Sequence, residues 1–144
     1  MNALAEWAQR NIEAEIALSG ADVSTIMWVV RRKIDLTELP RRRAVIRFHF
    51  RDNPPPKYPH YWFVIEPGAD LPELCSVDPG RDVDLYVETG VVSLGAIIEG
   101  RSSIEREKER GGLFLSGDPG LARSMDRWLR ISSYAALDGV LPLS

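Results

Sequence analysis

Cysteine, histidine and long apolar runs are almost missing from this sequence of 144 residues. The one cysteine, Cys75, cannot form an internal disulfide, and with no recognisable signal peptide this favours a reducing, cytoplasmic location. No segment approaches the roughly 20 apolar residues of a membrane-spanning helix, so no membrane partner is expected. The two histidines, His49 and His60, fall on different predicted segments, so we predict no metal site and no cofactor.

An excess of positive charge is also missing, which argues against a protein that binds nucleic acid. The chain holds 18 Lys and Arg against 21 Asp and Glu, a net charge of −3, whereas DNA-binding modules are normally basic. Its two basic clusters, Arg31–Lys33 and Arg41–Arg43, are interpreted as solvated charges at a helix end and at a strand start. We therefore expect that this chain alone does not bind DNA specifically.

Motifs that carry catalysis are missing as well. The sequence has no glycine-rich phosphate loop with its lysine and no G-x-S-x-G nucleophile turn. Asp82 and Asp84 share one face of a predicted strand, and an enzymatic alternative would depend on them together with His49. A solvated strand face explains the two carboxylates more simply, and Cys75 fits a small core residue. The sequence therefore predicts a non-enzymatic protein with no catalytic residues.

The first part of the sequence has apolar residues at helical spacing. Apolar residues at spacings of three and four predict a helix over residues 3–18. A second helix is predicted over residues 22–34, with an apolar stripe made of Val23, Ile26, Met27, Val30 and Ile34. Trp28 and Val29 point away from this stripe, so the helix is expected to be covered on more than one side or to line a cavity.

From residue 43 the apolar period changes to two, which indicates β-strands. Strands joined by short turns favour an antiparallel meander, and they are predicted at 43–50, 61–66, 73–77, 82–88 and 113–115. Three further helices are predicted. The first covers residues 91–99, the second begins at a capping box of Ser102 and Glu105, and the third begins at the capping pair Asp118-Pro119. The fold class is therefore α+β, with about five mainly antiparallel strands and helices packed on one face of the sheet.

A series of short segments, in order along residues 21–135, matches one known arrangement. R-R-K-I-D, V-I-R-F-H-F-R-D and Y-W-F-V-I-E-P-G precede V-D-P-G-R-D-V-D-L-Y-V-E-T at 77–89, I-I-E-G-R-S-S-I-E-R-E at 97–107 and L-S-G-D-P-G-L-A-R-S-M-D-R-W-L at 115–129. In this order and spacing they resemble the C-terminal half of HxlR-type (winged-helix) transcriptional regulators that carry a sterol-carrier-protein-like domain. The resemblance implies an α+β domain that encloses an apolar tunnel or pocket.

The resemblance also divides the chain. Residues 20–144 correspond to the sterol-carrier-protein-like domain, and residues 1–19 form a linker or dimerisation helix that resembles the tail of the winged-helix module. The DNA-binding module itself is not in the sequence, so DNA binding is not carried over. A homodimer is expected because the predicted N-terminal helix has an uncovered apolar face made of Leu4, Trp7, Ala8 and Ile12.

Aromatic side chains come from most of the predicted elements, and two interpretations of them stay open. The first is a non-enzymatic domain that binds a hydrophobic, lipid-like small molecule, as the effector module of a protein related to transcriptional regulators. The alternative is a structural or dimerisation domain with a filled core and no ligand. In the first case the large side chains that face the space between helices and sheet line the site: Met27, Trp28, Phe48, Trp62, Leu85, Ile97 and Trp128.

Overall fold

The structure is a computed structural model, and it describes residues 23–130. Its helices are α1 (Val23–Lys33), α2 (Val91–Ile98), α3 (Ile104–Arg110), α4 (Pro119–Arg123) and α5 (Met125–Trp128), with a 3-10 helix at Leu36–Glu38. Its strands are β1 (Ala44–Phe50), β2 (His60–Ile65), β3 (Glu73–Cys75), β4 (Leu85–Thr89) and β5 (Leu113–Gly117). The predicted helix at 3–18, with the dimer face assigned to it, lies outside the described residues.

The five strands form one mixed sheet in the order β3-β2-β1-β4-β5. The pairs β1–β2, β2–β3 and β4–β5 are antiparallel, which confirms a mainly antiparallel sheet. The predicted meander is wrong at one place, because β4 pairs in parallel with β1 instead of following β3. The physical reason is burial: β3 is a short edge strand, whereas Leu85 and Val87 of β4 are completely buried and belong in the middle of the sheet.

The helices pack on one face of this sheet, as predicted. Side chains of β1 that alternate at period two, Ile46, Phe48 and Phe50, point into the main core. The apolar stripe of α1 packs in the same core, and α2, α4 and α5 also contribute to it. The strand predicted at 82–88 begins only at Leu85, and Val83 before it packs in a smaller cluster with Val45, Trp62 and Val64.

Capping residues set the ends of the later helices. Asp118 accepts a hydrogen bond from the N–H of Leu121 at 3.0 Å, which confirms the predicted cap, but the helix it opens breaks at Ser124 into α4 and α5. The predicted capping box is shifted by one residue. Ser103 is the cap of α3, since its Oγ accepts from the N–H of Arg106 at 3.0 Å, while Ser102 donates to the buried carboxylate of Glu107.

Candidate functional site

The seven predicted lining residues fall into three groups in the structure. Five of them are completely buried together in the main core, between the helices and the sheet: Met27, Phe48, Leu85, Ile97 and Trp128. Trp62 lies on the opposite face of the sheet, where it packs with Val45 and Val64. Trp28 lies on the outside of α1 and is 51% exposed. The structure therefore brings five of the residues together and separates the two tryptophans from them.

Trp28 has a polar neighbour in this position. The guanidinium of Arg31 lies 5.2 Å from the centre of its ring, and Arg31 is itself held by a hydrogen bond from Nε to the carbonyl oxygen of Pro72 at 2.7 Å. A cation above an indole ring is a favourable arrangement at a protein surface. A part for Trp28 in ligand binding stays a prediction.

A pocket of about 470 Å³ lies at the end of the sheet where β1 begins and β2 ends. We call it the Arg41 pocket. Most of its wall is apolar and comes from two short segments, residues 36–42 and 65–69: Leu36, Leu39, Pro40, Ile65, Pro67 and Ala69. Leu39 and Ile65 also belong to the main core, so the pocket borders the core at this end of the sheet.

The charged side chains of the Arg41 pocket differ in whether an opposite charge is paired with them. Arg42 forms ion pairs with Asp84 at 3.2 Å and with Asp118 at 3.1 Å. Glu66 is paired with Arg43, which lies outside the pocket, at 2.9 Å. Arg41 makes no ion pair or hydrogen bond with the residues that the structure describes. One uncompensated cation therefore stands beside an apolar pocket.

None of the pocket's apolar residues was among the predicted lining residues. Sequence reasoning followed the large side chains of helices and strands, whereas the pocket is built by a 3-10 helix and two loops. A local signal does exist. Leu36 and Leu39 occupy a short turn before Pro40, and two leucines in a turn directly before the basic cluster Arg41–Arg43 combine apolar and cationic groups. The pattern could only have been recognised as a site once Ile65 and Pro67 were known to lie opposite.

The sheet face opposite the helices, which we call the outer face, carries rings and cations. His49 and His60 lie directly across from each other on β1 and β2, and their rings stack with centroids 4.4 Å apart. The guanidinium of Arg47 lies 4.7 Å from the centre of the Tyr86 ring. His49 Nδ1 is 3.9 Å from a carboxylate oxygen of Glu88. These groups contact one another, and the arrangement is that of neighbouring side chains on a sheet surface.

The histidine pair should make stability depend on pH. Burial lowers the pKa of His60 below its ordinary value of 6.5, and the positive charges of His49 and Arg47 lower it further. The folded state therefore binds the proton less readily than the unfolded state. The contribution of neutral His60 to the free energy of unfolding is present above pH 6.5 and is lost as the pH falls through the folded pKa. The free energy of unfolding, measured with urea, should decrease less between pH 7.5 and pH 5 in His60→Gln than in the parent chain. Equal losses in the two proteins would contradict the prediction.

The structure separates the groups of the enzymatic alternative. The carboxylate of Asp84 accepts the N–H of Val45 at 2.8 Å, and Asp82 is exposed in the loop before β4. His49 lies four residues beyond Val45 on β1, which places it about 13 Å from Val45 at the rise of a strand. Burial raises the pKa of the Cys75 thiol, and the charge of Glu73 raises it further, so the thiol stays protonated at neutral pH.

Within residues 23–130, no group of three or more His, Cys, Asp or Glu side chains is placed to hold a metal ion. None of the helices between these residues is both long and apolar enough to cross a membrane.

Comparison with known proteins shows a likeness of structure. No family model and no curated protein matches the sequence. A double mutant of the sec-alkylsulfatase PisA1, an enzyme described from Pseudomonas sp., matches 76% of the chain with a TM-score of 0.56 and 13% identity, and the match spans 16% of the sulfatase. Sterol Carrier Protein 2 Like 2 from Aedes aegypti matches 72% of the chain, and 92% of its own length, with a TM-score of 0.51 and 17% identity. The palmitated form of that protein matches over 72% and 90%, with the same score and identity.

Proposed function

We propose that this chain, which has the sterol-carrier-protein-2-like fold, binds a hydrophobic small molecule with an anionic head group through the Arg41 pocket. One observation carries the proposal: an apolar pocket of about 470 Å³ that borders the core has beside it Arg41, a cation that makes no ion pair with any of residues 23–130. This volume falls within the roughly 300–1,000 Å³ that is typical of small-molecule sites.

The apolar wall supports the hydrophobic part of the ligand. Each methylene group transferred from water into such surroundings contributes about 0.8 kcal/mol, so a long alkyl chain gains more than a short polar molecule. A tail that passes Ile65 and Leu39 would meet the main core, where five of the predicted lining residues lie. These five residues, with Trp28 and Trp62, stay the proposed lining of a longer site.

The cation supports the choice of head group. A carboxylate or sulfate accepts charge-assisted hydrogen bonds from a guanidinium. The guanidinium of Arg41 donates to none of the described residues, so its N–H groups can donate to such a head group. Arg42 is less suited, because Asp84 and Asp118 already neutralise it. The likeness to a sterol carrier protein solved in palmitated form is in keeping with such a ligand. A role as the effector module of a transcriptional regulator is the biological setting that we propose for this binding.

The second candidate is a structural domain without a ligand. It is favoured by the complete burial of the five predicted lining residues in the main core. The two candidates differ in one measurable property, because a filled core offers an amphiphile no saturable site.

Dodecanoate, dodecanol and dodecyltrimethylammonium share one tail and differ in head group, so titrating them tests the proposal. Dodecanoate should bind saturably, quench or shift the tryptophan emission and raise the melting temperature. Dodecyltrimethylammonium should bind more weakly. Arg41→Gln should weaken dodecanoate binding roughly three- to tenfold, because the lost ion pair is partly exposed to water.

The matched control is Arg32→Gln, which removes one positive charge from an exposed arginine outside the Arg41 pocket. It should leave the dodecanoate affinity unchanged. If none of the three amphiphiles binds saturably, the chain does not bind such ligands through this pocket and the structural candidate stands. If dodecanoate binds equally to the parent and Arg41→Gln, the pocket assignment is wrong.

A further inference from the structure

Three consecutive arginines directly precede β1, and carboxylates neutralise two of them. Arg42 pairs with two aspartates at 3.2 and 3.1 Å. Arg43 pairs through Nε with the carboxylate of Glu66 at 2.9 Å. Arg41 pairs with no carboxylate among residues 23–130. The three arginines and these three carboxylates together have no net charge, so any second negative charge on a ligand would be in excess.

Glu66 is the carboxylate that belongs to the pocket itself. It directly follows β2 and lines the Arg41 pocket from residues 65–69, whereas Arg41 lines it from residues 36–42. Its side chain is half-exposed, and the hydrogen bond from Arg43 holds it in place. The N–H of Ala69 donates to the carbonyl oxygen of Glu66 at 3.2 Å, which also fixes the turn behind it. A negative charge is therefore fixed in one wall of the pocket and an unpaired positive charge in the other.

The number of charges on the head group decides how well it fits this arrangement. A head group with one negative charge is compensated by the guanidinium of Arg41. A second negative charge would find Arg42 and Arg43 already neutralised and Glu66 in the wall. Moving a charge out of water without a compensating partner is unfavourable, and it is more so beside an apolar wall.

We propose that the Arg41 pocket selects amphiphiles whose head group carries a single negative charge, and that Glu66 is the residue that sets this specificity. The class includes carboxylates, sulfate esters and phosphodiesters, and it excludes phosphate monoesters. Glu66 acts in two ways, because it neutralises Arg43 and places its own charge in the pocket wall. This inference rests on the proposed function, since it requires that the pocket hold an amphiphile.

Dodecyl phosphate and its methyl ester, methyl dodecyl phosphate, test the selectivity in the full chain. They share a tail and a phosphate group, but at pH 8 the monoester carries close to two negative charges, because its second pKa is near about 6, and the diester carries one. The parent chain should bind the diester roughly three- to tenfold tighter at pH 8. At pH 5 the monoester also carries about one charge, so the preference should disappear.

Glu66→Gln tests the residue. It removes the carboxylate from the pocket wall and leaves Arg43 unpaired, so the affinity for dodecyl phosphate at pH 8 should rise roughly three- to tenfold and the affinity for the diester should rise less. Glu73→Gln is the matched control, because it removes the same charge from an exposed residue of β3 outside the pocket. The preference of this control for the diester should equal that of the parent.

The outcomes separate this inference from the proposed function. Equal affinity of the parent for the two phosphates at pH 8, a tighter monoester, or an unchanged preference in Glu66→Gln overturns the inference, while dodecanoate binding still supports the proposed function. If dodecanoate binds and neither phosphate does, head-group size selects the ligand instead of charge, and the inference is wrong. If dodecanoate does not bind either, the proposed function fails and the selectivity fails with it.

Discussion

Trp128→Ala should lower the free energy of unfolding by roughly 3–5 kcal/mol, the range found when a large buried aromatic side chain is removed from a core. Trp128 is completely buried, and its indole N–H donates to the carbonyl oxygen of Leu121 at 2.9 Å. The substitution leaves a cavity and an acceptor without its donor, and both effects destabilise the folded state. Urea unfolding followed by far-UV circular dichroism measures the change.

The same substitution at Trp28 is the matched control, because it removes an identical side chain from the surface. Trp28 is 51% exposed, and the guanidinium of Arg31 lies 5.2 Å from the centre of its ring. Trp28→Ala should therefore lower the free energy of unfolding by no more than about 1 kcal/mol. Similar losses at the two positions would show that the burial assigned here to Trp128 is wrong. A weaker dodecanoate affinity in Trp28→Ala with unchanged stability would support the predicted binding role of this residue.

Gly117→Ala should lower the free energy of unfolding by roughly 3–4 kcal/mol, since strain and overlap add at this position. Gly117 has a φ of +111°, which disfavours residues with a side chain, and an added Cβ would lie 2.5 Å from the carbonyl oxygen of Asp84. That oxygen also accepts the N–H of Asp118 at 2.8 Å, so it cannot move without disturbing the junction of β4 and β5.

Gly68→Ala separates the two effects. Gly68 has a similar positive φ of +82°, but an added Cβ would have no neighbour within 4 Å. Only backbone strain of about 1–2 kcal/mol is expected there. Thermal unfolding of the two variants gives the comparison, and a loss at Gly117 no larger than at Gly68 would mean that the close approach to Asp84 is absent in solution.

Local patterns in the sequence were enough for most of the elements. The stripe of Val23, Ile26, Met27 and Val30 has the period of a helix that buries one face, and the structure buries all four. Cap chemistry is equally local, since Asp118 reaches a donor only three residues away. The shift of the cap from Ser102 to Ser103 shows the limit of such signals, because two adjacent serines offer the same acceptor and the buried Glu107 selects one of them as its own donor.

The sequence by itself determined the α+β class, the helix-facing side of β1, and most of the large residues that are buried in the main core. These follow from the period of apolar side chains, which depends only on neighbours along the chain. Only the tertiary structure decided that β4 lies beside β1, that Trp28 is at the surface, and that Leu39 and Ile65 meet next to Arg41. The physical reason is that such contacts join residues distant in sequence, and they depend on which arrangement buries the most apolar surface while satisfying the backbone hydrogen bonds.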